Sequence, residues 1–178
     1  MELECKKVNK KLDEYKVIKD LMLKTFPKNE IIPMWILLLL SQRKMVDFNA
    51  YYDDNEFVGF SYSIINCNMI FIFYLAVYDK IQSNGYGTKI LKYIKEKYKG
   101  KEIILNIEKI DKNSQNYEQR LKRLKFYKKN GFNETEYFID DDIEYSILST
   151  NKDFNKEEYT KTLKKYSFGL YNPKIKNI

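Results

Sequence analysis

Residues 71–91 read FIFYLAVYDKIQSNGYGTKIL, and this stretch decides how the chain folds. Its first part, up to Val77, is an unbroken apolar and aromatic run, as expected of a central strand covered on both faces. A short loop with Gly85 and Gly87 follows, and a helix is predicted to open at Thr88. A helix N-terminus presents unpaired N–H groups and the positive end of the helix dipole. The sequence therefore favours a ligand that carries phosphate at this point.

A second motif lies at the end of a later amphipathic helix. Residues 126–132 read FYKKNGF, in which Tyr127 precedes the helix-stopping Gly131 by one turn. A pair of glycines after a strand is by itself a weak signal, because such glycines often serve only backbone geometry. A dinucleotide fingerprint fits less well, since it needs a third glycine around Ile90. The two blocks together favour cofactor binding over a purely structural turn.

These two blocks resemble those of the GNAT superfamily of acyl-CoA-dependent N-acetyltransferases. The pyrophosphate loop of that family follows the pattern Arg/Gln-x-x-Gly-x-Gly/Ala, which Gln82, Gly85 and Gly87 match. Its late helix typically ends in Phe-Tyr-x-x-x-Gly-Phe, which residues 126–132 match. Family members often carry an asparagine about two turns before the helix tyrosine, where this chain has Arg120.

The resemblance implies an α/β fold of the α+β kind, with a mixed central sheet of about seven strands flanked by about four helices. It covers roughly residues 1–150, which are predicted to form the N-acetyltransferase domain. Residues 151–178 are predicted to add a short C-terminal helix and a frayed tail. No internal repeat or linker divides the chain.

The resemblance also implies where acetyl-CoA binds. The backbone N–H of Leu75 would hold the thioester carbonyl, Val77 would hold the pantetheine amides, and the loop N–H groups would take the pyrophosphate. The predicted coenzyme-binding residues are Leu75, Ala76, Val77, Gln82, Ser83, Asn84, Gly85, Tyr86, Gly87 and Thr88.

Three further residues, Tyr127, Glu108 and Glu30, are predicted to act in catalysis or in binding the acceptor. Tyr127 matches the family tyrosine that protonates the departing thiolate, and the alternative is that it is an amphipathic core residue. Glu108, at the end of the strand after the Gly-loop helix, is placed where family carboxylates sometimes act as the base; the alternative is a surface glutamate. Glu30 is predicted to attract the cationic amine acceptor, against the alternative of a solvated helix entry.

The composition of the chain excludes several classes of catalytic site. A chain of 178 residues with 44% hydrophobic and 16% aromatic residues suits one domain with a single core. It contains no histidine, which excludes Ser-His-Asp and Cys-His nucleophile systems and His-containing zinc sites. Cys5 and Cys67 lack disulfide-framework or metal-ligand spacing, so buried free thiols and no metal are expected.

The net charge of +7 favours anionic ligands, and a coenzyme with several phosphates satisfies it as well as nucleic acid does. The lysines are scattered and few base-stacking aromatics stand among clustered basic residues, so nucleic acid is disfavoured.

The apolar stretch Met34 to Leu40 is far shorter than the roughly 20 residues of a spanning helix, and no signal segment opens the chain. Because neither a membrane-spanning stretch nor a signal segment is found, a cytoplasmic protein without membrane association is expected.

The sequence thus predicts transfer of an acetyl group from acetyl-CoA to a primary amine by direct attack in a ternary complex. The acceptor is left open between a small amine, an aminoacyl conjugate and a protein amino group. A homodimer is also left open. The rival hypothesis is a nonenzymatic acyl-CoA sensor or a basic RNA-associated module on the same fold.

Overall fold

The computed structural model describes residues 3–81, 84–140 and 142–177. The described residues form five α-helices and one mixed sheet of eight strands, in the order β1-β2-β3-β4-β5-β7-β6-β8. They group into two compact units. The first unit comprises Met1–Ile65 and Phe73–Lys99, and the second comprises Asn66–Ile72 and Gly100–Ile178. Strand β4, Met69–Val77, contributes to both.

The first unit begins with a strand and two helices. Helix α1 buries Ile18, Leu21 and Met22, which recur at helical spacing, and ends before Pro27. Pro33 caps the start of α2, a position that tolerates the missing N–H of proline. The elements are β1 Glu4–Lys7, α1 Tyr15–Thr25, α2 Met34–Leu40, β2 Val46–Asp53, β3 Glu56–Ile65, the end of β4, and α3 Tyr86–Lys97.

The sheet of the first unit is antiparallel from β1 through β3. Asp54 and Asn55 have positive φ angles of 50° and 65°, as a tight hairpin turn requires. Between the strands, the Phe48 ring meets those of Phe60 and Tyr62 edge-on, with centres 6.1 and 5.1 Å away. This aromatic cluster contributes to the burial of one face of β2 and β3, which are buried along almost their whole length.

The second unit contains the parallel pair of β4 and β5 and an antiparallel part formed by β5, β7, β6 and β8. Helix α5 packs through Tyr159, whose ring lies 5.5 Å from the centres of both Phe71 and Phe154. The elements are β5 Glu102–Glu108, α4 Tyr117–Lys129, β6 Asn133–Asp140, β7 Ile143–Ser149, α5 Lys156–Tyr166 and β8 Ile175–Asn177.

The prediction of a mixed sheet flanked by helices is confirmed, and its strand count was approximate. The additional strand is β8, which pairs with residues 136–138 of β6 where the sequence predicted a frayed tail. The polar Lys/Asn composition of this segment hid the strand, because pairing at the sheet edge requires only backbone groups. Among the described helices, none is both long and apolar enough to cross a bilayer.

Gly59 on β3 offers a test of how closely the strands of the first unit approach. A Cβ atom at this position would lie 2.4 Å from the carbonyl oxygen of Ala76 and 3.1 Å from Cα of Val77, both backbone atoms. We expect Gly59→Ala to lower the free energy of unfolding by about 2 kcal/mol, because the β4 backbone must shift. Urea denaturation measures this change.

Gly85→Ala is the matched control. Gly85 has a φ of 79° but no atom within 4 Å of a built Cβ, so this change adds backbone strain without a clash. It should cost about 1 kcal/mol. An equal loss of stability in the two variants would contradict the importance of the close approach at Gly59.

Candidate active site

Strand β4 changes character along its length. Its first part, Met69–Ile72, is buried and pairs in parallel with Glu102–Leu105 of β5. In the following segment, residues 73–77, buried and half-buried side chains alternate, and Leu75 and Val77 are half-buried. An alternating strand has one covered and one accessible face. The backbone that the sequence predicts to hold the pantetheine arm therefore belongs to a segment with an accessible face.

The turn after β4 leads into α3. A short 3-10 turn over Asp79–Ile81 follows the strand, and Gly85 takes a left-handed conformation as the N-cap of the helix. Helix α3 begins at Tyr86, earlier than the predicted start at Thr88, because Gly85 has already reversed the chain. Gly87 consequently lies in the first helical turn rather than in the loop.

The helix start exposes backbone donors. The first intrahelical hydrogen bond is donated by the N–H of Lys89 to the carbonyl of Gly85, at 3.1 Å. The N–H groups of residues 86–88 precede this bond and have no acceptor within an α-helix. Together with the helix dipole they form an arrangement suited to an anion. Gln82 and Ser83, predicted for the same site, lie outside the described residues.

Lys89 adds a cation beside this helix start. Its ammonium lies 2.7 Å from a carboxylate oxygen of Asp53 and 4.7 Å from the centre of the Tyr86 ring. The hydrogen bond to Asp53 raises the pKa of Lys89, and the same bond lowers the pKa of Asp53. Asp53 belongs to the β2–β3 hairpin, 36 residues earlier, so sequence spacing gave no signal for the pair.

Glu30, the predicted acceptor-binding carboxylate, lies in the first unit as well. It ends a 3-10 turn over Lys28–Glu30 in the connection between α1 and α2, and it is half-buried. Its backbone carbonyl accepts a hydrogen bond from the hydroxyl of Tyr74 on β4. The acceptor candidate and the described coenzyme-binding candidates therefore belong to one compact unit.

Tyr127 lies in the second unit, on the inner side of α4. Its ring contacts those of Phe126 and Phe132, with centres 5.1 and 5.6 Å away. Burial raises the pKa of Tyr127 to about 12, and the nearby Arg123 guanidinium acts in the opposite direction. The phenol is therefore protonated at neutral pH and can act as a proton donor.

Glu108 ends β5 and is 8% exposed, so it is not a surface glutamate. Arg120 donates to one carboxylate oxygen at 2.9 Å, and the amide of Asn116 donates to the other at 3.2 Å. Arg120 also donates to the carbonyl of Lys109 at 2.8 Å. Each carboxylate oxygen can accept more than one hydrogen bond, so these donors orient Glu108 and still leave acceptor positions for a proton.

Two arginines of α4, Arg120 and Arg123, lie near the predicted catalytic residue Glu108. Arg123 lies 3.7 Å from Glu108 and one turn before Tyr127, whose pKa it lowers. Arg120 lies about one further turn back on the same helix. The spacing of residues 120, 123 and 127 on one helix face was the available sequence signal. It was missed because Arg120 stood out only as a departure from the family asparagine.

The second unit also contains a cavity of about 850 Å³, next to the end of α4 and strands β6 and β7. Lys128, Phe132 and Tyr137 contribute to its lining, and none of the predicted site residues does. Two lysines of the lining already have partners. The ammonium of Lys128 lies 2.8 Å from a carboxylate oxygen of Glu134, and that of Lys109 lies 4.3 Å from the centre of the Tyr137 ring. Nothing in this lining matches the predicted chemistry. Across residues 3–81, 84–140 and 142–177, no three Cys, Asp or Glu side chains come together as a metal would require. Both cysteines are free thiols, but Cys5 is half-buried and Cys67 is exposed, so the prediction that they are buried was wrong.

Comparison with known proteins identifies the class to which the chain belongs. Residues 46–134 match the family described as Acetyltransferase (GNAT) domain. The chain belongs to the GNAT acetyltransferase family and is an acyltransferase, as the sequence predicted. No curated protein sequence matches the chain.

Solved structures share the fold at low sequence identity. A protein described as a GNAT-family acetyltransferase from Bacteroides thetaiotaomicron has a TM-score of 0.76 at 19% identity, covering 94% of this chain and 99% of its own. An aminoglycoside 6'-N-acetyltransferase in complex with coenzyme A has a TM-score of 0.62 at 17% identity, covering 82% and 95%. Naa50 from Arabidopsis thaliana, with the bisubstrate analogue CoA-Ac-MVNAL, has a TM-score of 0.59 at 18% identity, covering 85% and 99%.

The pairing of Glu108 can be tested through its two arginines. Arg120→Gln should lower the free energy of unfolding by about 3 kcal/mol, because it leaves a buried carboxylate without its main cation. Arg123→Gln is the matched control: Arg123 is more exposed and more distant from Glu108, so its loss should cost less than about 1 kcal/mol. Urea denaturation of both variants measures the difference. Similar losses would show that Arg120 is not the principal partner of Glu108.

Proposed function

We propose that this protein is an N-acetyltransferase that transfers an acetyl group from acetyl-CoA to a primary amine by direct attack in a ternary complex. The observation that carries the proposal is the start of α3. There a left-handed Gly85 and the N–H groups of residues 86–88 follow a strand segment with an accessible face. Membership of the GNAT family indicates acetyl transfer as the reaction class. The residues of the candidate active site provide a chemical group for each step.

The residues at the helix start fit a diphosphate. The N–H groups of residues 86–88 can donate to phosphate oxygens, and Lys89 adds a positive charge one residue further along. The neighbouring Asp53 carboxylate offsets part of that charge and holds the ammonium in place. We assign Asn84 to Thr88 to the pyrophosphate and extend the assignment to Gln82 and Ser83 from the family pattern.

The coenzyme supplies an acetyl group activated as a thioester. On β4, we assign the backbone N–H of Leu75 to the thioester carbonyl and residues 76–77 to the pantetheine arm. Attack by an amine builds negative charge on the carbonyl oxygen, and a fixed N–H donor lowers that barrier by about 3 kcal/mol in comparable oxyanion sites. The register of β4 with β5 runs from Met69 to Ile72, so Leu75 lies beyond these paired residues, which supports this assignment.

Two proton transfers complete the reaction. We assign Tyr127 to protonate the departing thiolate, because its phenol is buried, protonated at neutral pH, and faces no histidine competitor in this chain. The ammonium of the acceptor must lose one proton before its nitrogen can attack, and we assign this step to Glu108, directly or through water. Arg123, which lies 3.7 Å from Glu108, favours the negatively charged form of Tyr127.

The acceptor is a primary amine, and Glu30 supplies a carboxylate that would attract its cationic form. The fold neighbours act with chemically different acceptors: one is named an aminoglycoside 6'-N-acetyltransferase, and another is bound to a bisubstrate analogue with a peptide part. The primary experiment is therefore release of free thiol from acetyl-CoA in the presence of small amines, aminoacyl conjugates and peptides. The absence of amine-dependent release across all three classes, in a protein that binds acetyl-CoA, would favour an acyl-CoA sensor instead.

Coenzyme binding can be tested without knowing the acceptor. Acetyl-CoA should raise the melting temperature, because it binds the folded state preferentially. Gly87→Val should abolish this shift, since a branched side chain in the first turn of α3 would block the approach of phosphate. Differential scanning fluorimetry with increasing acetyl-CoA measures both effects.

Lys92→Val is the control for a branched residue in α3. Lys92 is 76% exposed and pairs only at 3.8 Å with Glu96, so its replacement should preserve the shift. An unaltered shift in a folded Gly87→Val variant would place the anion elsewhere.

Tyr127→Phe separates chemistry from binding. The change keeps the ring packed against Phe132 but removes the proton donor, so the maximal rate should fall about 10²-fold with acetyl-CoA affinity little changed. Steady-state thiol release and calorimetry measure the two quantities. Tyr159→Phe is the matched control, since it removes the hydroxyl of another buried tyrosine in the second unit. A rate within about threefold of the parent enzyme, with chemistry rate-limiting, would leave Tyr127 as a core residue.

A further inference from the structure

The connection between α1 and α2 carries Glu30 and is bounded by Pro27 and Pro33. Between them the chain makes one 3-10 turn, with the N–H of Glu30 donating to the carbonyl of Pro27 at 3.0 Å. The next such bond, from the N–H of Ile31 to the carbonyl of Lys28, is longer at 3.4 Å. A single turn of this kind is too short to hold its position by local hydrogen bonds alone.

The hydroxyl of Tyr74 attaches this connection to β4. It donates a hydrogen bond to the carbonyl of Glu30 and accepts one from the N–H of Ile32, at 3.0 Å. One buried phenol therefore pairs with backbone groups on both sides of Ile31. An arrangement of this kind fixes the path of the chain as well as its distance from the strand.

The ring of Tyr74 is held independently of its hydroxyl. Its centre lies 4.8 Å from that of Phe26 and 6.3 Å from that of Tyr62, both in edge-on contacts. Tyr74 is 2% exposed. A change that removes only the hydroxyl can therefore leave the ring packed in place.

Tyr74 is also the residue directly before Leu75. Side chains of consecutive strand residues point to opposite faces, so Tyr74 faces the covered side of β4 while Leu75 lies on the half-buried side. The connection that carries Glu30 is thus tied to the strand one residue from the N–H assigned to the thioester carbonyl. Any shift of the strand at this point moves both.

We propose that Tyr74 is a positioning residue for the amine acceptor: its hydroxyl holds the α1–α2 connection so that Glu30 is set relative to the thioester-binding segment of β4. This inference rests on the proposed function. It assigns to Tyr74 a role in acceptor use and none in coenzyme binding.

The first arm of the test needs no substrate. In Tyr74→Phe the N–H of Ile32 loses its acceptor, so its hydrogen exchange should accelerate about tenfold or more, as expected for the loss of one hydrogen bond in a short connection. Trypsin cleavage after the exposed Lys28 should accelerate in parallel. Exchange is measured by mass spectrometry or NMR. Unchanged exchange at Ile32 would overturn the proposal regardless of activity.

The second arm measures thiol release from saturating acetyl-CoA with n-butylamine as the acceptor probe. Tyr74→Phe and Glu30→Gln should each lower kcat/KM for n-butylamine about tenfold, mainly through KM, and the double variant should lose little more than either single variant. The thermal shift produced by acetyl-CoA should stay at the parent value. Additive losses would show that Tyr74 does not act through Glu30, and an unchanged kcat/KM in Tyr74→Phe would also refute its role.

Tyr51→Phe is the matched control. Tyr51 is another buried tyrosine of the first unit, and its hydroxyl lies 2.8 Å from that of Ser61, away from the α1–α2 connection. This variant should leave both Ile32 exchange and kcat/KM for n-butylamine unchanged, and an equal effect would overturn the proposal.

If the parent protein shows no amine-dependent thiol release, the proposed function fails and the acceptor role of Tyr74 fails with it. Normal release in the parent with unaffected Tyr74→Phe kinetics refutes the role of Tyr74 alone.

Discussion

The parallel pairing of β4 with β5 is the constraint on which the described site depends. Parallel strands cannot be joined by a tight hairpin, and they need a crossover connection of a dozen or more residues. Residues 78–101 provide it, as the turn with Gly85 followed by α3. The helix start that can bind a phosphate is therefore a product of the strand topology. Ligand sites of open α/β sheets commonly lie at such carboxyl ends of strands.

Helix α3 is anchored by side chains near both ends. Towards its C-terminus, Lys97 and Tyr98 meet the buried carboxylate of Asp47, which also pairs with Lys7. Near its N-terminus, Lys89 pairs with Asp53. Because these contacts are made by side chains, they hold the helix in place without using the N–H groups of its first turn. The backbone N–H groups of the first turn are therefore not used for structural attachment, whereas Lys89 serves attachment and also contributes charge to the proposed anion site.

Periodicity and the two glycine-containing blocks were sufficient to predict the fold class, the family and most elements. The start of α3 was misplaced by two residues, because a pattern of glycines does not reveal which one adopts the left-handed conformation; here it is Gly85. The strand β8 was missed because it has only three residues, two of which are polar. The partners of Glu108 and Glu30 could not be read directly, since an ion pair or a hydrogen bond to Tyr74 depends on tertiary proximity rather than on local spacing. The assignments of Tyr127, Glu108 and Glu30 to catalysis remain proposals.

The buried environment of Tyr127 has a physiological consequence. A phenol with a pKa of about 12 does not change charge over the range in which cellular pH varies, and the chain has no imidazole that would do so. As the proposed proton donor, Tyr127 would stay protonated through acidification or mild alkalinisation of its surroundings. A change in rate with pH over that range would then arise from other groups, such as the fraction of the acceptor amine that is uncharged.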